Sequence, residues 1–317
     1  MVNTFSLSIS QMDKFQSCPR AYWFSRYGSW GGWMENAPER TKEIYRLKNL
    51  TGVYLWTGNR VHEAIQDILS GFQKTGHWPE EDVVIKDFLD KLRKDYRQSA
   101  TATPGSPFQK GTVRLIEHDD PYRAIDASMW KSVTDRAIFC VRGFFSSAAL
   151  KEIRSAVEEE GPEAIVRKDD VLETLPIQVD ARTIPVYVTI DMLLKKDNHY
   201  LVVDWKTGKP KDENHDRQTA LYAAFVVKKF ETKPENVSFA LSYLAFTPGI
   251  LDKTHTDEKR IERVFGEVRD SARSILSCID DPDEGVARED RFKAKPSRWK
   301  CAGCEYRRVC PDAMLVS

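Results

Sequence analysis

The sequence predicts an α/β protein whose core runs helix, three-stranded antiparallel meander, helix, strand, with a large helical insertion and a metal-binding staple joining its ends. Three observations predict it. From about Asp170 to Thr207 the runs are rich in β-branched and aromatic residues and alternate with the period of a strand. On either side, apolar residues recur at three- and four-residue intervals, the period of an amphipathic helix. Cys18 stands near the start of the chain, and Cys301, Cys304 and Cys310 form C-x2-C-x5-C near its end.

Taken in order, Ser10 with Asp13 three residues later predicts a helix N-cap. After Cys18-Pro19 the stretch Arg20–Tyr27 is aromatic and basic, and a loop follows from Gly28 to Gly32. Gly58–Leu69 reads as an amphipathic helix with Val61, Ala64, Ile65, Ile68 and Leu69 inward, and Val83–Tyr96 as another with Phe88, Leu89 and Leu92 inward. Thr101–Gly111 is a loop, and one long helix is expected over Ile125–Val157, closed by Gly161-Pro162. Val171–Val179 is a candidate strand. A helix over Asp212–Phe230, a strand over Asn236–Thr247 and a last helix over Glu258–Cys278 complete the chain.

Val186–Thr207 is the informative stretch. Two strand-like runs flank a polar knot at Asp197-Asn198, which predicts a β-hairpin with a two-residue turn or a four-residue loop from Lys196 to His199. Either register sets Asp191 opposite Asp204. One face then carries Thr189, Asp191 and Leu193 against Val202, Asp204 and Lys206, and the other carries Ile190, Met192, Leu194, Leu201, Val203 and Trp205. Two carboxylates at roughly 5 Å between Cβ atoms repel and need a cation between them. Mg²⁺ or Mn²⁺ suits such a site, because each takes carboxylate oxygens and leaves positions for water and phosphate. Lys206 adds an ammonium on the same face. Asp-x-Lys alone is also what an exposed hairpin with ordinary surface charges looks like.

Composition narrows the classes. The 317 residues are 41% hydrophobic, enough for a sizeable core, and the formal net charge is zero, so a nucleic-acid partner would have to be held by local patches. There is no signal-peptide pattern and no apolar run of membrane-spanning length, so a soluble, intracellular protein is expected. Gly208-Lys209 is followed by Pro210, which rules out a phosphate-binding loop of the ATPase type at that point. Cys140 and Cys278 sit in apolar helical contexts, where a packed thiol is the plain reading. The other four thiols suit either tetrahedral Zn²⁺ or a four-iron, four-sulfur cluster.

Five separated motifs together resemble the PD-(D/E)XK nuclease superfamily, in its RecB/AddB-like iron-sulfur branch, which includes the CRISPR-associated adaptation exonuclease and related bacteriophage exonucleases. They are Gly58-x3-His62, Ile190-Asp191, Asp204-x-Lys206, Gln218-x3-Tyr222, and Cys18 with Cys301, Cys304 and Cys310. Two positions depart from the pattern. Val188 stands where the branch has a glycine, which would narrow the approach to DNA, and Ile190 stands for the nominal proline.

The resemblance implies a restriction-endonuclease-like core and a metal-dependent DNA exonuclease acting on single strands or DNA ends. Asp191 and Asp204 would bind Mg²⁺ or Mn²⁺ with the backbone carbonyl of Trp205, and His62 would be a further ligand. Lys206 would position or deprotonate the attacking water, with Gln218 and Tyr222 orienting it. The four end cysteines would hold a 4Fe-4S cluster. The implied segments are an N-terminal helical part (1–57), the first core helix (58–70), a helical insertion (71–170), the nuclease core (171–280) and a cluster-binding tail (281–317). The setting would be the cytoplasm of a bacterial, archaeal or phage-infected cell, in repair, recombination or CRISPR adaptation. An alternative is a DNA-end-binding or spacer-processing accessory that works with an integrase or helicase.

Candidate DNA contacts follow from local charge. Arg288, Arg291, Lys293, Lys295, Arg298, Lys300, Arg307 and Arg308 alternate with Phe292, Trp299 and Tyr306, and Arg20, Tyr22, Trp23 and Arg26 would be brought near them. Packing of the aromatics around the metal site is the competing reading. Glu173 is a weaker candidate for a place near the metal.

Overall fold

A computed structural model describes residues 2–120, 124–166, 173–208, 216–246 and 250–314 of the chain. No helix among them is long and apolar enough to cross a membrane. The predicted residues 171–172 and 212–215 lie outside the described residues.

Strands β1 (Glu173–Val179) and β2 (Arg182–Val188) form a two-stranded antiparallel sheet by themselves. After a break at 189–191 come β3 (Met192–Lys196) and β4 (His199–Lys206), paired antiparallel with Lys196 opposite His199. The turn is therefore Asp197-Asn198. Asp197 takes φ +52°, the left-handed conformation that a turn matched to strand twist demands and that Asp tolerates. β5 (Val237–Tyr243) adds in parallel to β4, and β6 (Ile250–His255) adds antiparallel to β5, giving the order β3-β4-β5-β6. The expected three-stranded meander is thus corrected. Val186–Thr207 contains parts of three strands, because the break lets β2 pair with β1 and leaves the hairpin to join another sheet. β6 was not expected from the sequence.

The N-terminal helices are α1 (Ile9–Ser17), α2 (Pro19–Trp23), α3 (Glu39–Lys48), α4 (Val53–Thr75), α5 (Glu81–Thr101) and α6 (Ile116–Asp119). Then come α7 (Ala127–Phe145), α8 (Ala148–Glu160), α9 (Asp216–Lys229), α10 (Glu258–Leu276) and α11 (Arg298–Gly303). Ser8, not Ser10, caps α1, its hydroxyl accepting from the Gln11 amide at 3.3 Å. The single helix expected over Ile125–Val157 is two, because Ser147 accepts from the Leu150 amide at 3.0 Å and so starts α8 afresh. The first core helix is longer than its periodic segment. Glu117 binds the Val53 amide at 3.0 Å and extends its start, and Gly76 at φ +71° ends it.

The four-stranded sheet divides two cores. Leu193, Tyr200, Val202 and Phe239 face α9, α10 and the β1–β2 pair, whereas Met192, Leu194, Leu201, Val203 and Trp205 face α4, α5, α7 and α8. Full burial of each large apolar side chain here is worth about 1.5–3 kcal/mol. Ile190 joins the first core and not the second, since strand alternation does not carry across the break. Val188 is buried there too, so its side chain does not narrow any approach from solvent. Helix α7 comes against the end of β5 at Gly143, where a Cβ would lie 2.0 Å from the Leu244 carbonyl oxygen. That contact brings Phe144 edge-on to Trp205, with ring centroids 5.4 Å apart.

Candidate active site

Asp204 and Lys206 occupy the last turns of pleat in β4, on the face toward α9, and Asp191 sits at the break before β3. The Asp191 Oδ2 atom accepts a hydrogen bond from the Trp205 amide at 2.9 Å, so the carboxylate leans across the hairpin to its partner strand. Trp205 presents only its backbone here, because its indole is in the second core. His62 reaches the same point from α4, its Nδ1 3.2 Å from Asp191 Oδ1. Helix α4 buries its apolar face in the core on the other side of the sheet, yet its flank meets the break.

The remaining partners come from α9. Gln218 Nε2 donates to Asp204 Oδ1 at 3.2 Å and lies 2.7 Å from the Tyr222 hydroxyl, while its Oε1 accepts from Lys206 Nζ at 3.4 Å. The i,i+4 spacing on one helix face makes that joint action possible. Lys206 Nζ stands 2.6 Å from Asp204 Oδ2, a buried atom with no well-aligned hydrogen bond. The structure therefore brings together His62, Asp191, Asp204, Lys206, Gln218 and Tyr222, with the backbone of Trp205. Glu173 is elsewhere engaged, in an ion pair with Lys229.

Charge and burial oppose each other at this point. Burial, then the Asp191 charge, pushes the Asp204 carboxyl up to about 6 against the pull of Lys206 and His62. Burial works against a charge on His62, but the hydrogen bond and charge of Asp191, with Asp204 beyond, hold it above the ordinary imidazole value. Among the described residues no set of three or more His, Cys, Asp or Glu side chains stands at metal-ligand spacing. The donor chemistry nevertheless suits a hard divalent cation. Two convergent carboxylates, one held in an ionisation that burial disfavours, gain from a cation between them.

The end cysteines also converge. Cys18, Cys301, Cys304 and Cys310 line one cavity of about 40 Å³ between α2 and α11. Lys295 donates its backbone N–H toward Cys18 Sγ at 3.5 Å. Burial, followed by the nearby Glu305, pushes the Cys304 thiol up to about 11, and burial also raises Cys310. Four cysteines lining one recess have the donor chemistry of a thiolate-bound metal or cluster, but among the described residues no three of them stand at metal-ligand spacing. Cys140 is buried as a packed thiol.

Most of the basic tail is structural. Arg288 and Arg291 pair with Asp280, Arg307 and Arg308 with Asp120, and the ammonium groups of Lys295 and Lys300 donate to the Gln16 and Ser17 carbonyls. Phe292 and Tyr306 are fully buried, whereas Trp299 is 91% exposed. Arg20 is buried, donates to the Phe292 carbonyl at 2.9 Å and pairs with Glu289 and Asp312 at 3.1 Å. Tyr22 is core, Trp23 donates to the Ala287 carbonyl, and Arg26 to the Thr4 carbonyl. Arg20, Trp23, Lys295 and Lys300 tie the two ends of the chain together, while Arg288, Arg291, Arg307 and Arg308 are already paired with Asp280 or Asp120, which leaves less of this segment free for DNA than its composition implies.

Sequence reasoning missed the Trp205 amide that orients Asp191 and the Glu117 cap of the helix bearing His62. A backbone donor carries no sequence signal, and Glu117 lies 64 residues from the amide it binds.

The model of the PD-(D/E)XK nuclease superfamily matches residues 6–311. Among solved structures, one of a Eubacterium rectale protein provisionally named an exonuclease aligns at 13% identity and TM-score 0.42, covering 98% of this chain and 91% of that one. The structure of a protein named SSO0001 aligns at 15% identity and TM-score 0.31, covering 73% of this chain and 98% of that one. No curated protein sequence matches the chain. With a family match running almost from end to end over the residues that converge at the break in the sheet, the chain belongs to the PD-(D/E)XK nuclease superfamily.

Proposed function

We propose that the protein is a metal-dependent DNA exonuclease of the RecB/AddB-like iron-sulfur branch, hydrolysing phosphodiester bonds on single strands or DNA ends. One observation carries the reading: Asp191, Asp204, Lys206, His62, Gln218 and Tyr222 form one contiguous polar cluster in a chain of this superfamily. Members of the superfamily typically use Mg²⁺ or Mn²⁺. His62, Asp191, Asp204 and the Trp205 carbonyl would hold the ion, which would polarise the phosphate and stabilise charge on the departing oxygen. Lys206 positions the attacking water and offsets phosphate charge. Gln218 grips both Lys206 and Asp204, and Tyr222 holds Gln218, so the ammonium is fixed before substrate arrives.

The test is digestion of single-stranded DNA labelled at its 5′ or 3′ end, in Mn²⁺, by wild type and by Lys206→Ala. Nucleotide release by wild type that falls at least about a hundredfold in the variant supports the reading. Tight binding without cleavage would instead mark a DNA-end-binding accessory of an integrase or helicase.

Cys18, Cys301, Cys304 and Cys310 hold a 4Fe-4S cluster whose role is to clamp the chain ends. The shared cavity and the sulfur-directed Lys295 amide support it. Protein purified without air is expected to be brown with iron and sulfide present, and Cys304→Ser to be pale and less stable. A colourless wild type containing zinc would sink the cluster.

A further inference from the structure

Beside the candidate active site, α4 and α7 enclose a mostly apolar cavity of about 180 Å³ that reaches the backbone of Thr207 and Gly208. Thr207 directly follows Lys206. From α4 come Tyr54, Gly58 and Val61, and Tyr54, Gly58 and His62 recur at four-residue intervals along one helix face. The cavity therefore adjoins both the catalytic strand end and the histidine. Gly58 keeps the helix close, since a Cβ there would lie 3.2 Å from Thr207 Oγ1.

Arg136 on α7 forms the opposite wall. Its Nε and Nη2 donate to the Thr207 carbonyl at 3.2 and 2.8 Å, which pins the planar fork against the end of the catalytic strand. Among the described residues Nη1 has no partner, and its N–H groups are left for an anion. Tyr54 at the rim is 62% exposed, so its ring contributes little to packing. An aromatic face in solvent next to a pinned guanidinium is the pairing that binds a base and its phosphate. The volume falls below that of pockets enclosing a whole small molecule, and it suits one nucleobase with its sugar edge.

We propose that this cavity is a nucleotide subsite. Tyr54 stacks on a base flanking the scissile phosphate, and Arg136 holds the neighbouring phosphate. Stacking on an aromatic ring accepts any base, so binding through Tyr54 is tolerant of sequence. A base can reach Tyr54 only when it has left a duplex stack, which makes single strands and frayed ends the substrate. The proposal rests on the nuclease reading but is measured apart from it.

The experiment compares full-length wild type, Tyr54→Ala, Tyr54→Phe and Arg136→Ala. Binding in Ca²⁺ to a labelled ten-nucleotide thymidine strand and to an abasic strand of equal length is followed by fluorescence anisotropy at fixed salt. Tyr54→Ala is expected to weaken the thymidine strand about tenfold and leave the abasic strand unchanged. Tyr54→Phe retains wild-type affinity, and Arg136→Ala weakens both strands alike. Equal effects of Tyr54→Ala on both strands, or no effect of Arg136→Ala, would overturn the subsite. Cleavage of the thymidine strand in Mn²⁺ is read in parallel. Base-dependent coupling without cleavage removes the nuclease reading and leaves the subsite, and cleavage without coupling removes the subsite alone.

Discussion

Asp204→Asn is expected to lose at least about a hundredfold in cleavage while making the metal-free protein more stable. The loss follows from the role proposed for the carboxylate, since even groups that merely orient a metal ligand are worth 10- to 100-fold. The gain follows from its surroundings. Burial and the neighbouring Asp191 raise the folded-state carboxyl of Asp204 to about 6, above the ordinary 3.8. A raised carboxyl favours the protonated form on folding, so its ionisation costs nothing below about pH 4 and the full penalty applies above about pH 6. That penalty is on the order of 2–3 kcal/mol, and a neutral amide of the same shape escapes it. Thermal unfolding in chelator at pH 8 checks it: a variant that melts below wild type sinks the argument. Wild-type cleavage should also fall in acid, because protons compete with the metal for the carboxyl.

Asp119→Ala is expected to cost about 1–3 kcal/mol of stability. The Asp119 side chain is 1% exposed, and it pairs with Arg46 at 2.6 Å and Arg114 at 3.3 Å, both of which are buried. Removing the carboxylate takes one partner from each of two buried guanidinium groups, although Arg46 keeps Glu43 and Arg114 keeps the Ser106 hydroxyl and the Thr103 carbonyl. Burial opposes the charge on Asp119, but the Arg46 hydrogen bond, the Gly105 amide and the two arginine charges hold the carboxyl below its ordinary value. Its contribution is therefore present above about pH 4 and lost in stronger acid. Asp120 beside it pairs with Arg307 and Arg308 of the cysteine-bearing tail, so the loss should spread to the chain ends. Denaturant unfolding measures the cost, and a midpoint unchanged from wild type would show that the arginines find other partners.

Strand alternation and turn chemistry are local, and the features that depend on them were legible. Asp197-Asn198 specifies the hairpin, whose pairing runs from Lys196 and His199 to Met192 and Val203, and it puts Asp204 and Lys206 on one face, with Asp191 just beyond the paired residues and bound to the Trp205 amide. Gln218 and Tyr222 share a helix face by spacing alone. The break at 189–191 was not legible, because β-branched residues run through it from Val186 to Ile190. β2 is taken up by β1 in a hairpin of its own, turned at Asp180-Ala181 with Asp180 at φ +52°, a turn that the reading from the sequence did not mark. Ser147 shows the same limit within the helical block, where apolar periodicity continues across a cap.

By itself, then, the sequence determined the chemistry that the chain can assemble: which carboxylates and which lysine share a strand face, which cysteines belong to one set, and the class of fold. Only the tertiary structure decided which charges are already spent. Arg20, Arg288, Arg291, Arg307 and Arg308 have the composition of a nucleic-acid surface, yet their partners lie on other elements, some of them more than a hundred residues away. Residue type and spacing set what a side chain can do, but its partner is set by the path of the backbone. The same holds for Arg136 and Tyr54, which line one cavity at Thr207 only because α4 and α7 pack together over the end of the sheet.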